Sequence, residues 1–186
     1  MEELEKQERI IKRAVKNGVT EIEAKWYLQM LVEHCEENCG FYNRVDAIRM
    51  AYDMLDDELA GVEAGEGSWF TKFRAKRPRI QEKVLAFINA LQRAKDEALK
   101  FKDVDDGGTC NFDCPEIRLA GWRERLAKRA ARVVGLDCDR WDWHYMNYHI
   151  SGACDGQGNR RTTMAEAFAR SMESAGYETA VWYAMD

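Results

Sequence analysis

The chain has 186 residues with 28 basic and 33 acidic side chains, a net charge of −5 that argues against nucleic-acid binding through overall charge alone. Its 46% hydrophobic content excludes a disordered or fibrous chain, and no apolar run is long enough to predict a membrane span. The charged opening residues do not match a signal peptide, so we expect a cytoplasmic protein whose six cysteines are reduced.

Apolar residues recur at helical spacing over the first forty positions. One helix is predicted from residue 2 to a stop at Gly18. Thr20 and Glu23 match a capping box, in which the hydroxyl and the carboxylate each bond a backbone N–H at a helix start. The helix that follows this box is expected to end near Gly40.

Two further helices are predicted over residues 41–59 and 80–101, and Pro78 fits the first turn of the second one. A glycine-rich segment at 61–68 separates them. All four helices carry one apolar seam, which is typical of helices that pack in a bundle. We therefore expect residues 1–102 to form a helical N-terminal region.

The pattern changes after an acidic, glycine-containing break at 103–115. Short strands are predicted at 117–119, 141–150 and 179–185 from their β-branched and aromatic residues. We expect residues 103–186 to form a small α/β region.

Two helices are predicted between these strands. One covers 122–134 and ends at Gly135, and the other begins at a second capping box made of Thr163 and Glu166. A strand–helix–strand order usually places its two strands side by side and parallel. The predicted fold class is therefore α+β, with a helical N-terminal part packed with a small C-terminal sheet that contains a strand–helix–strand unit.

Charge is distributed unevenly along the chain. Residues 1–60 carry 8 basic and 14 acidic side chains, residues 61–103 carry 10 and 6, and residues 104–186 carry 10 and 13. The three segments therefore have net charges of −6, +4 and −3. The middle segment can meet phosphate while the acidic start meets basic protein.

The segment from Gly152 to Arg161 follows a predicted strand and precedes a predicted helix. Backbone N–H groups at Gly156 and Gly158, with the charges of Arg160 and Arg161, would suit a phosphate group at a helix N-terminus. The pattern matches neither the Rossmann nor the Walker loop, so a flexible turn with solvated arginines remains the alternative.

Basic residues interleaved with aromatic ones form two further candidate binding segments, which could follow a nucleic-acid backbone or anchor on an acidic protein surface. Their members are Arg74, Lys76, Arg77 and Arg79 before the fourth helix, and Arg125 and Arg129 on the helix at 122–134. A solvated charged face is the alternative for both.

Cys110 and Cys114 flank a turn and are the best candidates for a structural metal site, although their spacing is not the two-residue spacing of zinc ligands. Burial as small apolar groups is the expected role of the cysteines, so we predict no metal and no cofactor. The acidic loops do not reproduce a calcium-binding pattern, and no nucleophile motif is present.

Four segments resemble parts of small phage and prophage proteins: Phe41–Asp46, Gly108–Asp113, Gly156–Ala167 and Tyr177–Asp186. That group includes anti-CRISPR proteins that inhibit Cas9. The resemblance implies a non-enzymatic inhibitor in the host-cell cytoplasm, which binds a nuclease or its guide complex and hinders DNA binding or cleavage. The charge density is too low for a DNA mimic, so a surface with acidic and basic patches is expected instead.

Two other functions stay open on the residues alone. One is a nucleic-acid-binding accessory protein, and the other is a small phosphate- or nucleotide-binding enzyme that uses the Gly152–Arg161 loop. The oligomeric state is not predicted by any of these patterns.

Overall fold

The computed structural model describes residues 2–38, 44–63, 80–141 and 146–185. The chain divides into two compact units, Met1–Gln81 and Glu82–Asp186. The sequence pattern predicts that the helix near residues 80–101 belongs to the N-terminal helical region. In the structure this helix covers Glu82–Leu99 and lies in the second unit. Among the described helices, none combines the length and the apolar character needed to cross a membrane.

The first unit contains helices α1 (Glu2–Lys16), α2 (Glu21–Asn38) and α3 (Arg44–Glu63). The predicted capping box at the start of α2 is confirmed. The backbone N–H of Thr20 donates to Glu23 Oε2 at 2.8 Å, and the backbone N–H of Glu23 donates to Thr20 Oγ1 at 3.2 Å. This reciprocal pair satisfies two N–H groups that a helix start leaves without partners.

Aliphatic side chains from all three helices form the core of the first unit. Its largest fully buried members are Ile10, Leu28, Leu55 and Leu59. Arg13 on α1 bonds both Asp56 and Glu63 on α3, with 2.8 Å between Arg13 Nη2 and Glu63 Oε2. Apolar packing and the two ion pairs of Arg13 together hold α1 against α3.

The second unit contains three helices and a four-stranded sheet. In chain order its elements are α4 (Glu82–Leu99), β1 (Cys114–Ile117), α5 (Glu124–Val133), β2 (Asp137–Arg140), β3 (Tyr148–Ser151), α6 (Gly158–Ser174) and β4 (Thr179–Trp182). Helix α5 packs against β2, α6 packs against β1 and β4, and α4 packs against both helices. The α+β fold class is confirmed.

The strand order is β2-β3-β1-β4, and every neighbouring pair is antiparallel. The expectation of a parallel neighbouring pair is therefore wrong. Strands β3 and β4, which α6 connects, run in the same direction but have β1 between them, and β1 and β2 are likewise separated by β3. This connectivity is the split β-α-β, or ferredoxin-like, arrangement.

The prediction of one strand over 141–150 is wrong. The chain forms two antiparallel strands, β2 and β3, and between them Trp141 donates its backbone N–H to the carbonyl of Asn147 at 3.0 Å. Asn147 has a left-handed φ of 56°, which an asparagine tolerates better than most residues. The sequence pattern missed β2 because Asp-Cys-Asp-Arg has little β propensity, and residues 142–145 lie outside the described residues.

The second predicted capping box is also wrong. Helix α6 begins at Gly158, so Thr163 lies in its second turn and donates its hydroxyl to the carbonyl of Asn159 at 2.7 Å. A threonine inside a helix often donates its hydroxyl to the carbonyl four residues earlier. The hydroxyl of Thr163 therefore does not cap the start of the helix.

The two faces of the sheet have different neighbours. The face that carries Cys138, Ile150 and Pro115 lies toward the helices, since Thr179 on the same face donates its hydroxyl to the carbonyl of Ala169 in α6. Alternation along the strands turns the neighbours of these residues, such as Glu116, His149 and Trp182, to the opposite face. The register therefore decides which polar residues meet there.

Pro115 lies in β1, a central strand, where proline normally costs a ladder hydrogen bond. The register places it opposite Ile150, whose carbonyl would accept from the N–H that proline lacks. The neighbouring thiol replaces that donor, because Cys114 Sγ lies 3.2 Å from the carbonyl oxygen of Ile150. Burial raises the pKa of Cys114 to about 11, so the thiol keeps the proton that it donates.

We predict that Cys114→Ala lowers the free energy of unfolding by about 1–3 kcal/mol, because the Ile150 carbonyl loses its donor. The same change should cost about 1 kcal/mol less in a Pro115→Ala background, where residue 115 has an N–H of its own. Urea unfolding of the four proteins measures this coupling. Equal costs in both backgrounds would contradict the role assigned to the thiol.

Candidate functional site

The start of α6 is held directly against the loop that precedes β1, at Asp106 and Gly107. The backbone N–H of Asn159 donates to the carbonyl of Gly107 at 2.9 Å. A Cβ on Gly158 would lie 2.3 Å from that same oxygen, and its φ of +53° is left-handed. Only glycine therefore fits at position 158, and the predicted glycine loop has a packing role at this position.

A carboxylate of the chain itself occupies the helix N-terminus. The backbone N–H of Gln157 donates to Asp106 Oδ1 at 2.6 Å, and Arg160 Nη1 lies 3.5 Å from Asp106 Oδ2. Arg160 also donates from Nε to the carbonyl of Val104 at 2.9 Å. Asp106 thus provides the negative charge that a helix N-terminus favours.

A polar cluster lies next to this helix start. The carboxylate of Asp113, buried to 3% exposure, accepts from Asn111 Nδ2 at 2.8 Å, from the Thr162 hydroxyl at 2.6 Å and from the backbone N–H of Ala184 at 3.1 Å. Arg161 Nε donates to the backbone carbonyl of Asp113 at 3.0 Å. These bonds join three parts of the second unit: the chain before β1, helix α6 and the residues that follow β4.

A cleft of about 330 Å³ lies over this cluster. Asn111, Asp113 and Thr162 line it, and the exposed Tyr183 and Met185 also lie on its wall. Both Asp113 oxygens already accept hydrogen bonds from the chain. The cleft is therefore polar but its carboxylate is engaged in holding the fold.

The structure brings Gly156, Gly158, Arg160 and Arg161 together at the start of α6, as the sequence pattern placed them. Arg125 and Arg129 lie one turn apart on α5.

The basic residues next to Arg125 and Arg129 on α5 pair with acidic residues of β2. Lys128 Nζ lies 3.4 Å from Asp139 Oδ1, and Arg132 Nε lies 3.2 Å from Asp137 Oδ1. Arg74, Lys76, Arg77 and Arg79 lie outside the described residues.

The cysteines do not form a metal-ligand group in the described part of the chain, where no three His, Cys, Asp or Glu side chains converge. Cys110 and Cys114 are both free thiols. Burial raises the pKa of Cys138 and of Cys154 to about 12, so both are protonated at neutral pH. Protonated thiols are poor nucleophiles and poor metal ligands.

The sheet face opposite the helices carries a group of residues that we call the tryptophan face: Phe112, Glu116, Trp141, His149 and Trp182. Glu116 and His149 are cross-strand partners, with 2.6 Å between Oε1 and Nε2 and side-chain exposures of 2% and 6%. Trp141 stacks on His149 at a centroid distance of 3.6 Å, and Trp182 meets it edge-on at 5.4 Å. The tryptophans thus cover a buried carboxylate–imidazole pair.

Phe112 extends this face toward solvent. Its backbone N–H donates to the carbonyl of Ala184 at 2.8 Å, which prolongs the pairing of β1 with β4, and its side chain is 51% exposed. Sequence reasoning missed the face because residues 112, 141 and 182 are far apart along the chain. The alternation of Phe112, Cys114 and Glu116 in the sequence indicates that these three side chains share one face of a strand. Only the register shows that His149 of β3 and Trp182 of β4 lie beside them.

Comparisons of the chain with protein-family models, with curated proteins and with solved structures found no match.

Gly158→Ala should destabilise the second unit more than a substitution at another left-handed glycine. Gly121 has a φ of +74° and open space around its Cβ position, so Gly121→Ala carries only the backbone cost of about 1–2 kcal/mol. At Gly158 the clash with Gly107 adds about 1–3 kcal/mol. Urea unfolding measures both variants, and equal losses would show that the loop does not press on the helix.

Glu116→Ala should lower the free energy of unfolding by about 3–5 kcal/mol, because it leaves the imidazole of His149 buried without its carboxylate. Glu178→Ala is the control, since its exposed pair with Arg118 at 3.2 Å contributes less than about 1 kcal/mol. Thermal and urea unfolding compare the two. A loss at Glu116 no larger than that at Glu178 would contradict the structural role of the pair.

Proposed function

We propose that this chain acts by binding a macromolecular partner, and that the partner is a guide-loaded nuclease of the Cas9 type, whose DNA binding or cleavage it hinders. The proposal follows the resemblance to anti-CRISPR proteins. It is supported by the chemistry of two surfaces, one in each unit.

The observation that carries the proposal is the tryptophan face. This face carries Phe112, which is 51% exposed, and the two half-buried tryptophans Trp141 and Trp182. Large aromatic side chains dominate the binding energy of protein interfaces because they bury much area at little cost in rotamer entropy. The Glu116–His149 pair beneath them keeps the tryptophans in one arrangement, which reduces the ordering cost on binding.

Charge supplies the second support. Residues 1–60 have a net charge of −6, and several acidic side chains of α1 and α3 are exposed. Glu5 and Asp57 are among them, whereas the exposed Glu8 and Asp53 form ion pairs with Lys12 and Lys6 of α1. A Cas9-type nuclease holds its guide–target duplex in a positively charged channel, so an acidic surface is complementary to it. Such complementarity raises the association rate, and the effect weakens as salt is added.

Phe112→Ala should weaken binding to guide-loaded Cas9 by about tenfold or more, the effect of losing one well-packed aromatic anchor. The measurement is a pull-down with a parallel DNA-cleavage assay over a set of Cas9 proteins. Leu85→Ala is the matched control, because Leu85 is an exposed apolar residue on α4 rather than on the sheet.

Absence of both binding and inhibition across the set would reject the nuclease as partner. Equal affinity of the Phe112 and Leu85 variants would instead reject the tryptophan face as the contact surface. Circular dichroism of both variants keeps a folding defect separate from a binding defect.

Binding of single-stranded nucleic acid is the second candidate function. Aromatic side chains on the free face of a four-stranded sheet can stack on unpaired bases, and Phe112 has the exposure that stacking needs. Salt-titrated binding to single-stranded DNA and RNA tests this candidate, since phosphate contacts give an affinity that falls steeply with salt. Absence of binding would reject this candidate and leave binding to a protein partner as the proposed function.

A further inference from the structure

The two outer strands of the sheet have opposite chemistry. Three of the four residues of β2 are charged, and charge on an edge strand is a common protection against pairing with other chains. Residues 179–185 read Thr-Ala-Val-Trp-Tyr-Ala-Met, with no charge, no proline and no glycine. The edge formed by β4 therefore lacks the protection that the β2 edge has.

Hydrogen bonds show which backbone groups of this edge point outward. Arg118 donates its backbone N–H to Glu178, and Phe112 donates its backbone N–H to Ala184, so the even-numbered residues of this segment face β1. The odd-numbered residues turn their N–H and C=O groups away from the sheet. These are Thr179, Val181, Tyr183 and Met185.

No described strand pairs with this outer edge, because β4 ends the strand order. A bridge between Asn111 and Met185 continues the inner pairing beyond Trp182. The unpaired edge is thus about 20 Å long. Tyr183 and Met185 at its end are 60% and 78% exposed.

The occupant that fits such an edge is another extended backbone, since only a strand offers N–H and C=O groups at the matching spacing. This uncharged seven-residue segment, in which Thr179, Val181, Trp182 and Tyr183 have high β propensity, matches the pattern of segments that pair with themselves. Pairing of β4 with β2 of a second chain would leave one uncharged β4 edge open and would meet the charges of Asp137, Asp139 and Arg140. Pairing of β4 with β4 covers both β4 edges by one two-fold axis and leaves only the charged β2 edges at the ends of the joined sheet.

We propose that β4 pairs antiparallel with β4 of a second copy of this chain, which joins the two sheets into one of eight strands. The contact uses the main chain of residues 179–185, within which no charged side chains face each other across the axis. It is independent of the nuclease proposal, because it uses the strand edge and not the tryptophan face.

Sedimentation equilibrium of the full chain tests the dimer. The wild type should have twice the mass of one 21.6 kDa chain at micromolar concentration. Val181→Pro removes an outward N–H without breaking a bond to β1, and Tyr183→Lys puts a charge on the edge, so each should give the mass of one chain. Leu85→Lys, on α4, and Phe112→Ala, on the tryptophan face, should stay dimeric.

Amide hydrogen exchange identifies the surface. In the wild-type dimer, the N–H groups of residues 181, 183 and 185 should exchange at least tenfold more slowly than in the Tyr183→Lys protein. The comparison with the Val181→Pro protein uses residues 183 and 185, because proline has no N–H. The N–H groups of residues 180, 182 and 184 should be protected in all proteins. A wild-type monomer, or a dimer that survives both edge variants, would overturn the proposal. Slow exchange of the odd-numbered amides in a monomer would overturn it too, because the chain would then cover its own edge.

Discussion

The second unit depends on the backbone pairing of β1 with both of its neighbours. This four-residue strand bonds β3 on one side and β4 on the other, and α6 packs across it. A proline in such a strand leaves one carbonyl without a donor, and the adjacent Cys114 thiol supplies the missing hydrogen bond. Because the register is set by these bonds, β1 also decides which side chains share each face of the sheet.

The same strand joins the polar cluster to the tryptophan face. Asp113, immediately before β1, accepts bonds from α6 and from the end of β4, while Glu116 within β1 meets His149. The glycine loop is part of this framework, since Asp106 and Gly107 of the chain bond its N–H groups. Arg160 and Arg161, which the sequence pattern assigns to an external phosphate, bond groups of the chain itself. The aromatic side chains of the tryptophan face are therefore the better basis for the proposed binding function.

Helix periodicity was the most informative signal because it depends on neighbours three and four residues apart. The seams of α1 and α2 and the capping box at Thr20 are local, and they were predictable for that reason. The box at Thr163 failed although its residue types were right, because tertiary bonds from Asp106 and Gly107 start α6 at Gly158 instead. The strand predicted over 141–150 failed because a turn at Asn147 has no strong local signature.

The sequence by itself determined the fold class, the helices of the first unit, the place of the glycine loop before a helix and the uneven charge along the chain. Only the tertiary structure decided that Phe112, Trp141 and Trp182 share one face, that Glu116 is buried against His149, and that one edge strand is charged while the other is not. The reason is that strand register and strand order depend on contacts between distant residues. A shift of one position would turn every side chain of a strand to the opposite face.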